Sequence, residues 1–150
     1  MKKALSVFLV GMFIIGTCGL AMAASDADTA KALVSKASAF LKANGKAKTI
    51  ATINDKNGPF VKGELYVFMY DDKGTMLAHP MNPGLIGKNL INLKDSDGVL
   101  FTQNFYKKAK AGGGWVDYKW TNPVTKVIDR KSSYVIWQDN LLIGCGIYKK

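Results

Sequence analysis

Residues 65–70, Leu-Tyr-Val-Phe-Met-Tyr, decide the fold because they form a strand that is apolar on both sides. Side chains alternate along a strand, so the three odd-numbered residues face one side of the sheet and the three even-numbered residues face the other. Neither set carries a charge, which predicts that both sides of the sheet are covered. The next four residues, Asp-Asp-Lys-Gly at 71–74, predict a turn into a short second strand at 75–78.

The C-terminal third of the chain predicts three more strands. They lie at Trp115–Thr121, at about Lys126–Gln138 and at Leu141–Tyr148, and each is rich in aromatic or branched residues. Asn122-Pro123 and Asp139-Asn140 supply the turns between them. Together with the two strands upstream, these segments predict a five-stranded antiparallel sheet.

A long helix is predicted before the first strand. Apolar residues recur at three- and four-residue spacing from Ala30 to Leu41, which is the pattern of a helix with one buried stripe. Ser25 or Asp26 can cap its N-terminus. We expect the helix to run to about Ala43, where Asn44-Gly45 ends it.

Two further helical segments are predicted. Ile50–Ile53 is a candidate short helix, and Gly98–Ala111 reads as a helix that Asp97 caps. The element order is therefore helix, two strands, an irregular crossover with a helix, and three strands. That order predicts an α+β domain with the long N-terminal helix on one face of the sheet and the helical crossover on the other.

Residues 1–23 have the pattern of a secretory signal peptide. Lys2 and Lys3 give a positive start, Ala4–Leu20 is an apolar run, and Ala21-Met22-Ala23 fits the small-residue cleavage rule. We expect cleavage after Ala23 and release of a soluble periplasmic protein. The alternative is an uncleaved segment that anchors the protein to the inner membrane.

The composition of the rest of the chain, 24–150, excludes several classes of function. There is one histidine in 150 residues, and the only Glu and the only Arg are Glu64 and Arg130. Such an inventory is too poor for most metal sites and triad hydrolases, so we expect neither an enzyme nor a cofactor. The net charge of +10 rests on lysine, which suits DNA recognition poorly, and we expect no nucleic-acid partner.

Aromatic residues with polar tips indicate where a pocket would lie. Strand alternation places Tyr118 and Trp120 on one face, and Gly144, Gly146 and Tyr148 on one face of the last strand. Two glycines on one face leave room either for a ligand or for close packing. Tyrosine and tryptophan beside a lysine are typical of a pocket for a small organic anion, and an ordinary aromatic core is the alternative.

His79 is the one imidazole of the chain, and it precedes a proline at the end of a predicted strand. No partner at catalytic or metal-ligand spacing accompanies it. Two roles stay open for it: a hydrogen bond to a ligand, or a structural bond to the backbone.

An ordered set of motifs resembles a known family. The motifs are Leu65–Asp71, Gly74 with Ala78–Pro80, Gly87–Leu90, Asp95–Gly98, Gly114–Trp120 with Asn122-Pro123, Lys131–Val135 and Gly144–Tyr148. From about Ala27 to Lys150 the chain is similar to a single Cache domain of type 2, the extracytoplasmic sensor domain of bacterial chemoreceptors and sensor kinases. The resemblance implies a PAS-like fold and a short organic acid as ligand.

The strand pattern, together with the resemblance, predicts the residues of the binding site. Lys131 is the expected cation, because it lies beside the Tyr118 and Trp120 face and matches the family's Lys-x-x-Tyr segment; the alternative is a solvated lysine. Tyr66 and Tyr118 would offer hydroxyl groups, and Trp120 would close the apolar end. Tyr134 and His79 complete the predicted set. Since alternation puts Lys131 and Tyr134 on opposite faces, a bulge or bend would have to bring them to one pocket.

No second apolar span follows the domain, so we expect a stand-alone module. It would act in chemotaxis or signal transduction through a membrane receptor or a sensor kinase. The alternative is an envelope interaction protein that keeps the fold and binds no ligand.

Overall fold

The computed structural model describes residues 25–149. This part of the chain contains two α-helices, α1 (Asp26–Asn54) and α2 (Phe101–Lys110), and a short 3-10 helix at Pro83–Leu85. Its six strands are β1 (Val61–Lys62), β2 (Leu65–Tyr70), β3 (Met76–Ala78), β4 (Gly114–Thr121), β5 (Ile128–Gln138) and β6 (Leu141–Tyr148). The predicted signal peptide at 1–23 lies outside the described residues. None of the helices in 25–149 has the length and apolar character needed to cross a membrane.

Helix α1 begins where the sequence predicts, but the predicted end at Asn44-Gly45 was wrong, because the chain bends there and continues as helix. The Ser25 hydroxyl accepts a hydrogen bond from the backbone N–H of Asp28 and caps the helix. Gly45 has φ 77° and ψ 170°, a conformation that glycine adopts without strain, and it kinks the helix. The segment after the kink continues to Asn54, so the predicted short helix at 50–53 is part of a longer one.

The strands form one antiparallel sheet. The strand order is β1-β2-β6-β5-β4, and β3 also pairs with β2. The predicted count of five strands was wrong by one, because β1 spans only two residues and is too short to show an alternating pattern. β5 begins two residues later than predicted, since Lys126 has φ 64° and belongs to the turn that closes on Asn122.

The sheet is covered on both faces, as residues 65–70 predict. We call the side beneath α1 the α1 face, where Leu65, Val67 and Met69 are buried. The side beneath α2 and the crossover is the α2 face, where Tyr66, Phe68 and Tyr70 are buried. Every residue of β2 is buried, so this strand runs through the middle of the domain.

Helix α2 starts three residues later than the sequence predicts, and Asp97 does not cap it. The residue before the helix is Leu100, which makes no side-chain cap. The carboxylate of Asp95 instead accepts backbone hydrogen bonds from Asp97 and Val99, at 2.9 Å each. These bonds hold residues 95–99 as a loop, because an aspartate can stabilise a turn as readily as a helix end.

Candidate ligand-binding site

Lys131 is buried in the α2 face of the sheet. It lies in β5 opposite Tyr118 of β4 and opposite Tyr148 of β6, so all three side chains leave the same side of the sheet. The residue is 1% exposed. Its Nζ donates a hydrogen bond to the Tyr66 hydroxyl at 2.8 Å and lies 4.0 Å from the centroid of the Tyr66 ring. It also lies 4.8 Å from the centroid of the Tyr148 ring, so aromatic faces stabilise the charge.

Glycines in β6 make the room that this lysine needs. A Cβ on Gly146 would overlap Cε of Lys131 and the hydroxyl of Ser133. A Cβ on Gly144 would overlap the ring of Phe68. Of the two roles that the sequence leaves open for these glycines, close packing is therefore the one they fill. The absence of a side chain at Gly146 leaves space for the aliphatic part of Lys131, whose ammonium then lies beside Tyr66 and Tyr148.

The Lys131 ammonium has no carboxylate partner among residues 25–149. The ion pairs in this part of the chain are Asp97 with Lys119 and Asp117 with Lys149, both near the surface. Burial lowers the pKa of Lys131 to about 7, whereas Cys145 and Glu64 act in the opposite direction. A buried cation with one hydroxyl and two rings around it is poorly compensated, and an anion beside it would restore its charge balance.

His79 lies close to the same ammonium. The residue follows β3 and is 3% exposed, and its ring centroid is 4.9 Å from that of Tyr66 and 6.3 Å from that of Trp120. Burial, together with the charge of Lys131, lowers its pKa to about 3. Its Nδ1 accepts a hydrogen bond from the backbone N–H of Asn82 at 2.9 Å. The neutral ring therefore carries its hydrogen on Nε2, which is a donor.

Stacked aromatic rings close the rest of the site. The ring of Tyr118 stacks on Phe101 with centroids 4.8 Å apart, and its hydroxyl lies 3.0 Å from the Ser133 hydroxyl. The Trp120 ring packs edge-on against Phe101 at 5.4 Å. Burial raises the pKa of Tyr66 and of Tyr118 well above the ordinary value, so both keep their hydroxyl hydrogens.

These side chains enclose a small cavity. The space that a water-sized sphere can enter is only about 10 Å³, no more than a single water molecule needs. It is lined by Tyr66, Phe68, Tyr70, Met76, His79, Phe101, Phe105, Tyr118, Trp120 and Lys131. One polar corner, formed by the lysine, the histidine and Tyr66, thus meets apolar aromatic walls. That combination fits a small ligand with one charged end.

Comparison with known proteins assigns the family. A sequence model of the family described as single Cache domain 2 matches residues 24–150. The chain belongs to the single Cache domain 2 family. The antiparallel sheet and the N-terminal helix agree with it, and the fold is the PAS-like α+β arrangement that the resemblance implies.

Two solved structures similar to this Cache domain come from chemotaxis proteins. The methyl-accepting chemotaxis protein of Vibrio parahaemolyticus is 28% identical, with a TM-score of 0.69, over 80% of this chain and 86% of that one. A periplasmic sensor domain of a chemotaxis protein is 27% identical, with a TM-score of 0.65, over 81% of this chain and 89% of that one.

A curated relative is the sensor histidine kinase MctS of Rhizobium johnstonii. It is 38% identical over 85 residues, which are 55% of this chain. The aligned region spans 18% of the length of the kinase, so the likeness concerns one part of that protein.

The cavity of this Cache domain gathers five of the six predicted site residues: Lys131, Tyr118, Trp120, His79 and Tyr66. Tyr134 lies apart from them. Its ring packs against Trp115 on the α1 face, with centroids 5.5 Å apart. The pairing of β5 with β4 and β6 is continuous, so no bulge turns Tyr134 toward Lys131.

Sequence reasoning missed part of the lining. Tyr148 contacts the lysine, and Phe101 of α2 forms a wall of the cavity. Tyr148 shares a strand face with Gly144 and Gly146, so the same alternation that placed Tyr118 could have included it. Phe101 comes from the crossover, and only the packing of α2 on the sheet reveals its position.

A wider groove lies on the outer side of the β4–β5 wall. Four of its charged residues are paired, Lys119 with Asp97 at 2.8 Å and Lys149 with Asp117 at 2.9 Å, and Lys131 borders this groove as well as the cavity. A bound anion would compete there with carboxylates of the protein itself. The buried ammonium of Lys131 has no such competitor among residues 25–149, which makes it a better partner for an anion than Lys119 or Lys149.

Proposed function

We propose that this Cache domain is an extracytoplasmic sensor module that binds a short organic acid in the cavity of the α2 face. The observation that carries the proposal is the Lys131 ammonium, which is buried without a carboxylate partner within residues 25–149. A ligand carboxylate would pair with it and recover inside the protein the hydrogen bonds that it had in water.

Each neighbour has a role in this proposal. The Tyr66 hydroxyl accepts from Lys131, and its own hydrogen faces the Tyr148 hydroxyl at 3.5 Å, a long contact that a bond to a carboxylate oxygen would replace. Nε2–H of His79 is a second donor, and Tyr118 is a third. Trp120 closes the apolar end, where a short carbon chain would lie. The family consists of ligand-binding sensor domains, and these roles require binding alone, with no catalytic group.

The small volume limits the ligand to a few heavy atoms. Even acetate exceeds the space between the rings, so Trp120 and its neighbours have to move apart on binding. Trp120 is half-buried, which suits a wall that moves. A rearrangement of this kind is also what a sensor needs, because it changes the domain when the ligand arrives.

Titration calorimetry with acetate, propionate, pyruvate and lactate tests the proposal. We expect one acid to bind, and Lys131→Met to weaken that binding by about tenfold to a hundredfold, since a charge-assisted hydrogen bond contributes about 1.5–3 kcal/mol. The matched control is Lys42→Met, at an exposed lysine of α1. Unchanged affinity in a folded Lys131→Met protein would refute the role of the lysine.

The tight packing of the cavity favours a second candidate function. The domain would keep the fold, with Tyr66 as the permanent partner of Lys131, and would serve as an interaction protein of the cell envelope. A thermal-shift screen separates the two functions, because an acid at 100 times its dissociation constant stabilises the protein by about 2.7 kcal/mol. No shift with any acid would favour the interaction protein.

We infer that the protein works in the periplasm and passes its signal to a membrane receptor or sensor kinase. The pattern of residues 1–23 and the chemotaxis and kinase relatives support this. Mass spectrometry of the periplasmic fraction of a Gram-negative host should find a chain that begins at Ala24. Full-length protein in the membrane fraction would show the anchored alternative.

A further inference from the structure

One edge of the sheet is left open. β4 is the last strand in the order, and it pairs with β5 on one side only. The backbone N–H of Lys119 points away from β5, because it donates to the carboxylate of Asp95 at 2.9 Å. The orientation of Arg130, which lies opposite Lys119, is consistent with this. Its carbonyl points toward β6 and accepts a hydrogen bond from the backbone N–H of Lys149.

The open edge presents unpaired main-chain groups. Strand geometry gives Trp115 and Asp117 the same outward orientation as Lys119, because main-chain groups alternate along an antiparallel strand. Within residues 25–149 no group bonds the N–H or the carbonyl of Trp115 or Asp117 on that side. Such an edge is a template on which another strand can pair.

A basic groove runs beside this edge. It is lined by Asn104, Lys107, Lys108, Ala111, Trp115, Val116 and Asp117. Helix α2 has no acidic residue, and neither of its groove lysines makes an ion pair within residues 25–149. The stem of Lys108 lies against Gly114, 2.9 Å from where a Cβ would be, so this lysine borders the start of β4.

We propose that the β4 edge docks an extended acidic segment of a partner protein as an added strand. The main chain of Trp115 and Asp117 would provide about four hydrogen bonds, and Lys107 and Lys108 would select carboxylate side chains. A second copy of this chain fits less well, because two-fold pairing of β4 edges would bring four like charges together.

The surface adjoins the ligand cavity. Tyr118 and Trp120, two of its walls, belong to β4, so a strand docked on β4 would contact the backbone that carries them. The proposed docking does not require a ligand in the cavity. Binding of the partner segment can therefore be measured both with and without an organic acid present.

The test uses two synthetic peptides, acetyl-Glu-Val-Glu-Val-Glu-Val-Glu-amide and its lysine counterpart. At up to about 1 mM we expect only the acidic peptide to bind, as weak affinities require. Amide hydrogen exchange by NMR should show the Trp115 and Asp117 amides protected by that peptide. Binding of both peptides, or of neither, would overturn the proposal.

Two variants separate edge pairing from simple charge attraction. Asp117→Pro removes one outward N–H at a position where an edge strand tolerates proline, and it should abolish binding, whereas Asp117→Asn should keep it. The double variant Lys107→Gln, Lys108→Gln should weaken binding by about tenfold. Lys42→Gln with Lys46→Gln, on the exposed part of α1, is the control.

Two outcomes would contradict the proposal even if the acidic peptide binds. Equal affinity for Asp117→Pro and the parent protein would mean that no strand is added. Binding of the parent protein to vesicles of anionic lipid, lost in the double lysine variant while peptide binding is not, would assign the lysines to a membrane surface instead.

Discussion

The two faces of the sheet are built by the same strands, yet they bury different chemistry. The α1 face is filled mainly by aliphatic side chains such as Val67 and Ile143. The α2 face stacks aromatic rings and buries a lysine and a histidine among them. Aliphatic packing needs only the right volume, whereas a buried charge lowers stability. The α2 face thus buries polar groups that lower stability, and for this reason we propose it as the ligand-binding face.

The largest effect should come from a cavity made on the α1 face. Ile143 is fully buried there, and Ile143→Ala should lower the free energy of unfolding by about 2–5 kcal/mol. Affinity for the organic acid, measured on the folded fraction, should hardly change. Urea denaturation and calorimetry check the two parts. A loss of affinity as large as that of Lys131→Met would show that the faces are not separate in function.

The next effect concerns acid and the α2 face. The pKa of His79 is about 3 in the folded protein and 6.5 ordinarily, so the unfolded chain binds the extra proton first. Stability should therefore fall as pH drops from about 6.5 toward 3, by at most about 1.4 kcal/mol per pH unit. The lowered pKa values of Asp71, Asp95 and Asp117 add an effect of the same sign that begins near pH 5 and is largest below about pH 4.

Urea denaturation at pH 6.5 and at pH 4.5 measures the contribution of His79 to the pH dependence of stability. The parent protein should lose stability between the two values, and His79→Gln should lose much less, because glutamine takes up no proton. Parallel losses in both proteins would assign the pH dependence to other groups.

Lys131 should act in the alkaline range. Its folded pKa of about 7 lies below the ordinary 10.5, so the folded protein holds fewer protons between these values and stability should rise with pH. Lys131→Met removes the buried charge and should stabilise the protein at pH 6–7 by about 1–4 kcal/mol, with no rise toward pH 10. A destabilised Lys131→Met protein at pH 6.5 would mean that the ammonium is well compensated.

The strands and the two faces could be predicted because their signals are local. Alternation along 65–70 and turn residues at 139–140 are contained in a few neighbouring residues, and the structure confirms both. The start of α2 was wrong because Asp95 and Asp97 fit a helix cap and a loop equally well. Whether these residues cap a helix or form a loop depends on β4, because the carboxylate of Asp95 accepts a hydrogen bond from the backbone N–H of Lys119.

The site was harder to predict than the fold. A lysine in a strand is most often exposed, and only the glycine on the neighbouring strand indicates that Lys131 is buried. Tyr134 was included because a family motif outweighed strand alternation, which placed it on the α1 face. In the structure the alternation holds without a bulge, so the local geometric rule was the better guide.

The smallest effect compares one chemical change on the two faces. Tyr66→Phe removes the hydroxyl that accepts from Lys131, and it should weaken binding of the organic acid by about tenfold, since one hydrogen bond to a charged group is lost. Tyr134→Phe removes a hydroxyl that bonds no group within residues 25–149 on the α1 face, and it should change neither affinity nor stability by more than about 0.5 kcal/mol. Calorimetry and urea denaturation of both variants decide the matter. Equal losses of affinity would mean that residues on the α1 face also affect ligand binding. The two faces would then not be separate in function.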